Sequence, residues 1–186
     1  NKDFPLSKSL KNYNSLKKDD IDLVVISSPT KTHYKIAKHF LDFSHVLVEK
    51  PLSLNSKDII DLERKAKINN KLLFVDYPFL FSGSINFIKT IIKKKRYGKL
   101  LEIESFREQA PIRHDADVVW DLGVHDISIL KHWLNQNPIK IKSIKYNTVK
   151  TLKKDTAYIN LEYRNNIKVF IKNSWISPTK IRLIKL

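Results

Sequence analysis

The chain has 186 residues, 42% of them apolar, with 35 Lys and Arg against 19 Asp and Glu for a formal charge of +16. That length holds one large domain or parts of two, and no apolar stretch approaches the roughly 20 residues needed to span a bilayer. The absence of cysteine excludes disulfides, thiolate catalysis and cysteine-based zinc sites, and is compatible with a reducing, cytoplasmic setting.

Residues 9–18 read as a short polar helix or turn, and 21–26, rich in β-branched side chains, as a strand broken by Ser27-Ser28-Pro29-Thr30. Helical spacing of Tyr34, Ala37, Phe40 and Leu41 predicts a helix over 32–43, followed by a buried strand at 46–48 that stops at Glu49-Lys50-Pro51. A helix over 53–70 with a cap at Asn55 or Ser56, then a strand at 72–75, complete three strand-helix units. Strands this continuously apolar imply a parallel sheet covered on both faces. In such sheets ligands sit outside the carboxyl ends of the strands, so Ser28, Pro29, Thr30, Glu49 and Lys50 should share one crevice. An ordinary strand-ending turn accounts equally well for the serine-proline element.

Composition changes at Ser82-Gly83-Ser84, which divides the chain into residues 1–83 and 84–186. A helix over 85–95 closes on the run Lys93-Lys94-Lys95-Arg96, where cations suit the macrodipole, with Gly98 as the left-handed stop. With the other lysines spread along the chain and the aromatics at core spacings, we read the charge as compositional bias and expect no nucleic-acid partner. A strand at 100–106, a helix at 118–134 and strands at 140–149, 156–163, 167–175 and 181–186 follow, with Asn165-Asn166 as a hairpin turn. The fold class is therefore α/β: a partial Rossmann domain with a parallel sheet, then an α+β domain with a mainly antiparallel open sheet.

Chemistry concentrates in Lys50, at the end of a buried strand, and in Trp120-Asp121-Leu122-Gly123-Val124-His125. Residues at i and i+4 share a helical face, so Asp121 can accept from one imidazole nitrogen of His125 and leave the other for substrate. Taken by spacing alone, such a pair is more often a solvated contact. Gly123 inside the helix is disfavoured relative to alanine by about 1 kcal/mol, a cost that a ligand approaching the backbone would explain. Arg107, Arg113 and His114 lie between the preceding strand and this helix, and arginines suit phosphate or carboxylate groups. No metal site is expected.

These residues resemble the glucose-fructose oxidoreductase, inositol dehydrogenase and MocA (Gfo/Idh/MocA) oxidoreductases. The similarity runs through Asp22-Leu23-Val24-Val25-Ile26-Ser27-Ser28-Pro29 with Thr32-His33-Tyr34, Val46-Leu47-Val48-Glu49-Lys50-Pro51-Leu52, and Trp120 to Ile127. The closing Ser174-Trp175-Ile176-Ser177-Pro178 is similar to a branch associated with bacterial surface sugars. The resemblance implies NAD or NADP as cofactor, a sugar, cyclitol or nucleotide-sugar substrate, and a homo-oligomer assembled through the open sheet. It also implies Lys50 as the active-site lysine, Asp121 as its carboxylate companion and His125 as acid/base, with Ser28, Pro29, His33 and Glu49 at the cofactor. Whether Lys50 or His125 takes the proton stays open. The chain opens on Asn1, has no methionine and holds no Gly-x-Gly-x-x-Gly turn, so it reads as a fragment that leaves NAD versus NADP undecided. The alternatives are a catalytically silent sugar- or cofactor-binding relative with a regulatory or assembly role and, ranked below it, a basic nucleic-acid-binding module.

Overall fold

Valine, leucine and isoleucine fill the first strands, so each offers an apolar row to either face of a sheet. The computed structural model describes residues 9–16, 21–112, 116–149 and 153–186. β1 (Leu23–Ile26), β2 (His45–Glu49) and β3 (Leu73–Asp76) pair in parallel in that spatial order, with Val24, Val46 and Leu73 in one row. α1 (Thr30–Phe40) and α2 (Ser56–Ile68) both pack on that row's face, where Ala37, Phe40, Leu62 and Ala66 join Ile26, Val46 and Val48 in one core. Asn55 caps α2 as expected, its side-chain oxygen accepting from the Lys57 amide at 3.0 Å.

Coverage of both faces is not what the structure has. The opposite row is Val25, Leu47 and Phe74, and Val25 there is 62% exposed. Strand order explains this: each right-handed crossover steps the same way across the sheet, so both connecting helices fall on the same side.

The segment Pro78–Phe81 forms a short 3₁₀ turn that leads into α3 (Gly83–Lys94). α3 ends on Lys95 in the left-handed region (φ 52°), closed by the Arg96 amide on the Ile91 carbonyl. Gly98, expected to do this, takes its positive φ three residues later in the loop.

The second sheet runs β5-β6-β7-β4-β8, from β4 (Glu102–Glu108), β5 (Lys140–Tyr146), β6 (Thr156–Glu162), β7 (Lys168–Ser174) and β8 (Ile181–Lys185). Its pairings are antiparallel except β4 with β7. The β6–β7 hairpin turns on Asn165 and Asn166, both with positive φ, a conformation asparagine tolerates. α3 and α4 (Val124–Leu134) cover one face, burying Ile85, Ile129, Leu130 and Trp133 against Ile103, Ile159 and Ile171. The other face carries an aromatic row, Tyr146, Tyr158, Phe170 and Phe106, with successive ring centroids 6.0, 6.1 and 6.0 Å apart.

Candidate functional site

Parallel pairing of β1 and β2 puts their carboxyl ends side by side, and the loops that follow them touch. His33 on α1 ties the two together: Nδ1 lies 2.9 Å from the Pro51 carbonyl and Nε2 2.7 Å from the Ser28 carbonyl. Carbonyls only accept, so both contacts are hydrogen bonds when both ring nitrogens carry protons. Ser28, Pro29, Thr30, His33, Glu49 and Lys50 all line one cavity of about 270 Å³, as the strand-end rule requires. Both ring nitrogens of His33 thus face backbone carbonyls, and its side chain joins the two loops at the cavity wall. The first turn of α1, with Pro29 at its cap position, has no side-chain cap and no acidic residue, and the Thr32 amide donates to the Pro29 carbonyl at 2.8 Å. The Lys50–Pro51 peptide is cis.

The opposite wall comes from the second half of the chain, through Ala116, Trp120 and Asp121. Lys50 Nζ donates to the Asp121 carbonyl at 2.8 Å and to Asp121 Oδ1 at 3.0 Å, and Trp175 Nε1 donates to Oδ2 at 3.1 Å. Lys50 and Asp121 are thus brought together from positions 71 residues apart in sequence. Among the described residues Nδ1 of His125 is buried with no hydrogen-bond partner, so it does not make the expected bond to Asp121. The reason is local: residues Val119–Gly123 form a turn of π-helix ahead of α4. Wider winding breaks the i, i+4 alignment and turns the carboxylate toward Lys50 and Trp175.

His125 sits edge-on to the Phe79 ring, 5.0 Å between centroids. Burial, aided by the charges of Lys50 and Arg107 and opposed by Asp121, pushes its imidazolium down to about 3 from the ordinary 6.5. The folded chain therefore holds a neutral imidazole at neutral pH. Unfolded chains take up that proton first on acidification, so the stabilisation tied to the neutral ring is whole above about 6.5 and is lost as pH falls toward about 3. Urea denaturation at about pH 7 and about pH 4.5 should show a smaller acid loss in His125→Gln than in the parent.

Gly123 is explained by the protein and not by a ligand. A Cβ there would stand 2.7 Å from Asn173 Oδ1. Asn173 belongs to a buried network centred on Asp126, whose Oδ1 accepts from Ser105 Oγ and Arg107 Nε and whose Oδ2 accepts from Asn173 Nδ2. The structure places Arg107 within β4 and not beyond it, 5% exposed, with its guanidinium over the Phe79 ring at 4.6 Å. Arg113 and His114 lie outside the described residues. Sequence reasoning passed over Trp175, Asp126, Asn173 and Arg182. Asp126 had a readable mark, since it shares the helical stripe of Leu122, Ile129, Leu130 and Trp133, where an unpaired carboxylate would be untenable. Among the described residues no group of three or more His, Asp or Glu is arranged to hold a metal, and no helix is long and apolar enough to cross a membrane.

Residues 2–77 match the family model described as "Oxidoreductase family, NAD-binding Rossmann fold", and residues 85–184 match the "GFO/IDH/MocA C-terminal domain". The chain is 26% identical over 128 residues to a UDP-N-acetylglucosamine 3-dehydrogenase of Acidithiobacillus ferrooxidans, covering 67% of this chain and 40% of that protein. It is 25% identical over 168 residues to a myo-inositol 2-dehydrogenase of Thermotoga maritima, covering 83% and 50%. It therefore spans about half the length of the curated relatives it matches. Its fold superimposes on an inositol dehydrogenase homologue from Azotobacter vinelandii, crystallised with NADH and myo-inositol, with a TM-score of 0.82 at 23% identity over 89% of this chain and 48% of that one.

Proposed function

The chain belongs to the Gfo/Idh/MocA oxidoreductase family, and from that premise we propose that it serves hydride transfer between NAD or NADP and a hydroxyl- or keto-bearing carbon of a sugar, cyclitol or nucleotide sugar. One observation carries this reading: the Lys50 ammonium is held by Asp121 at the carboxyl end of a parallel sheet, beside a neutral imidazole. We place the division between dinucleotide-binding and substrate-binding parts at residues 82–84, between the two family matches.

The cavity at Ser28, Pro29, Thr30, Glu49 and Lys50 suits part of a dinucleotide, because the start of α1 lacks a side-chain cap and an acidic residue and Lys50 is in the same lining. When bound, the nicotinamide ring supplies the hydride acceptor. Lys50 has three N–H donors, and with two directed to Asp121 the third is free for the substrate oxygen. As the carbon loses hydride, its hydroxyl becomes that of a protonated carbonyl and far more acidic than an alcohol. The C–H and O–H bonds therefore break together as the C=O bond forms, the hydroxyl proton passing to His125 despite its depressed basicity while Lys50 donates a hydrogen bond to that oxygen. Trp175 holds the second oxygen of Asp121, so the carboxylate and the lysine stay in register. The aromatic row on the open sheet supports self-association of the full protein.

The test is nicotinamide reduction by the full chain with a panel of cyclitols, sugars and nucleotide sugars, accompanied by calorimetry with NAD and NADP. Reduction with at least one class is expected. Failure to bind either dinucleotide removes the proposal.

A further inference from the structure

Phe79, the ring that braces His125, also walls a second cavity of about 300 Å³ whose lining includes Ser82, Ser84, Arg107 and Arg182. Arg107 and Arg182 are direct partners across β4 and β8, and Asn173 is the partner of Arg107 across β7. Residues paired this way point to the same face of a sheet, so the three form one row under the start of α4. Asp126 accepts from Arg107 and Asn173 of that row. Arg182, the outermost, has only neutral acceptors among the described residues: the carbonyls of Glu108 and Ile181 and the side-chain oxygen of Gln109.

Among the described residues the cavity's lining carries two cations, Arg107 and Arg182, and no carboxylate. Asp126 pairs with Arg107 from outside the lining, which leaves Arg182 as the cation held by neutral acceptors. Partial burial and the facing Arg107 both work against the charge of Arg182, with Asp126 and Asp121 opposing them. A cation in that position gains most from an anion that arrives from outside. The hydroxyls of Ser82 and Ser84, 2.9 Å apart, add polar groups to the same lining.

We propose that this cavity receives an oxyanionic substituent of the substrate, with Arg182 as the specificity-determining residue and Arg107, fixed by Asp126, as the second cation. The substrate class is then a carboxylated or phosphorylated sugar or cyclitol. This inference rests on the reading of the chain as a sugar-type oxidoreductase.

Calorimetric binding to the full chain would use a hexuronate, a hexose phosphate and the neutral hexose as probes, for the parent, Arg182→Gln and Arg182→Lys. The parent is expected to prefer at least one anionic probe over the neutral one. Which of the two anions is preferred tells carboxylate from phosphate. That preference should fall about 10- to 100-fold in Arg182→Gln and recover in part in Arg182→Lys. Equal binding of charged and neutral probes by the parent, no anion binding at millimolar concentration, or an undiminished preference in Arg182→Gln would overturn the assignment. The two proposals fail separately: Arg182-dependent anion binding without any nicotinamide binding sinks the oxidoreductase reading alone. Reduction of nicotinamide by a neutral sugar, with anion preference unmoved by Arg182→Gln, sinks the subsite alone.

Discussion

Lys50→Ala should lower turnover of the full chain by roughly 10²- to 10⁴-fold, the usual size of an acid/base or alkoxide-stabilising contribution. The ammonium directs two of its three donors to Asp121, at 2.8 and 3.0 Å, which sets its position and, in the proposed reaction, leaves one donor for the substrate oxygen. Alanine removes that donor and the positive charge together. Lys50→Arg should not rescue the loss, because a planar guanidinium cannot direct two donors to Asp121 and a third at the same angle into the cavity. Single-turnover nicotinamide reduction reads the chemical step directly, and circular dichroism of each variant guards against a folding defect. Parent-like turnover in Lys50→Ala would remove the lysine from the mechanism.

Asp126→Ala should destabilise the chain by about 3–5 kcal/mol, the range for breaking a buried ion pair from one side. Asp126 is 1% exposed and satisfies three donors at once, from Ser105, Arg107 and Asn173. Its removal strands a guanidinium that is itself almost fully buried. The paired replacement Asp126→Leu with Arg107→Met should restore much of the loss, since two apolar side chains of similar size leave no charge uncompensated. Urea denaturation of the single and double variants measures both effects. A single variant as stable as the parent would show that the network contributes little.

Local chemistry explains what could be read in advance. Valine and isoleucine runs ending at Ser27 and Glu49 announced strands of a sheet, Asn55 a helix start, and Asn165-Asn166 a hairpin turn. That Ser28, Pro29, Thr30, Glu49 and Lys50 share one crevice was legible for the same reason, because parallel strands place their carboxyl ends together wherever the rest of the chain goes. Position 121 was misjudged in its partner because helical spacing assumes 3.6 residues per turn, and the π turn at Val119–Gly123 departs from that. Trp175 and Asn173 lie 54 residues from Asp121 and 47 from Asp126, respectively, and nothing in their own neighbourhood marks the carboxylates they serve. Gly123 was rightly seen as a close approach, but the approaching atom belongs to Asn173, which only tertiary packing can reveal.

Lys50 rides on the first sheet, whereas both of its acceptors belong to a single residue of the other half. A tilt of one half against the other by about an ångström carries both contacts past bonding length together. If Lys50 and Asp121 act as proposed, stiffness between the two layers is part of their alignment, and a substitution far from the cleft that merely loosens that docking should slow the proposed reaction without touching any group assigned to it.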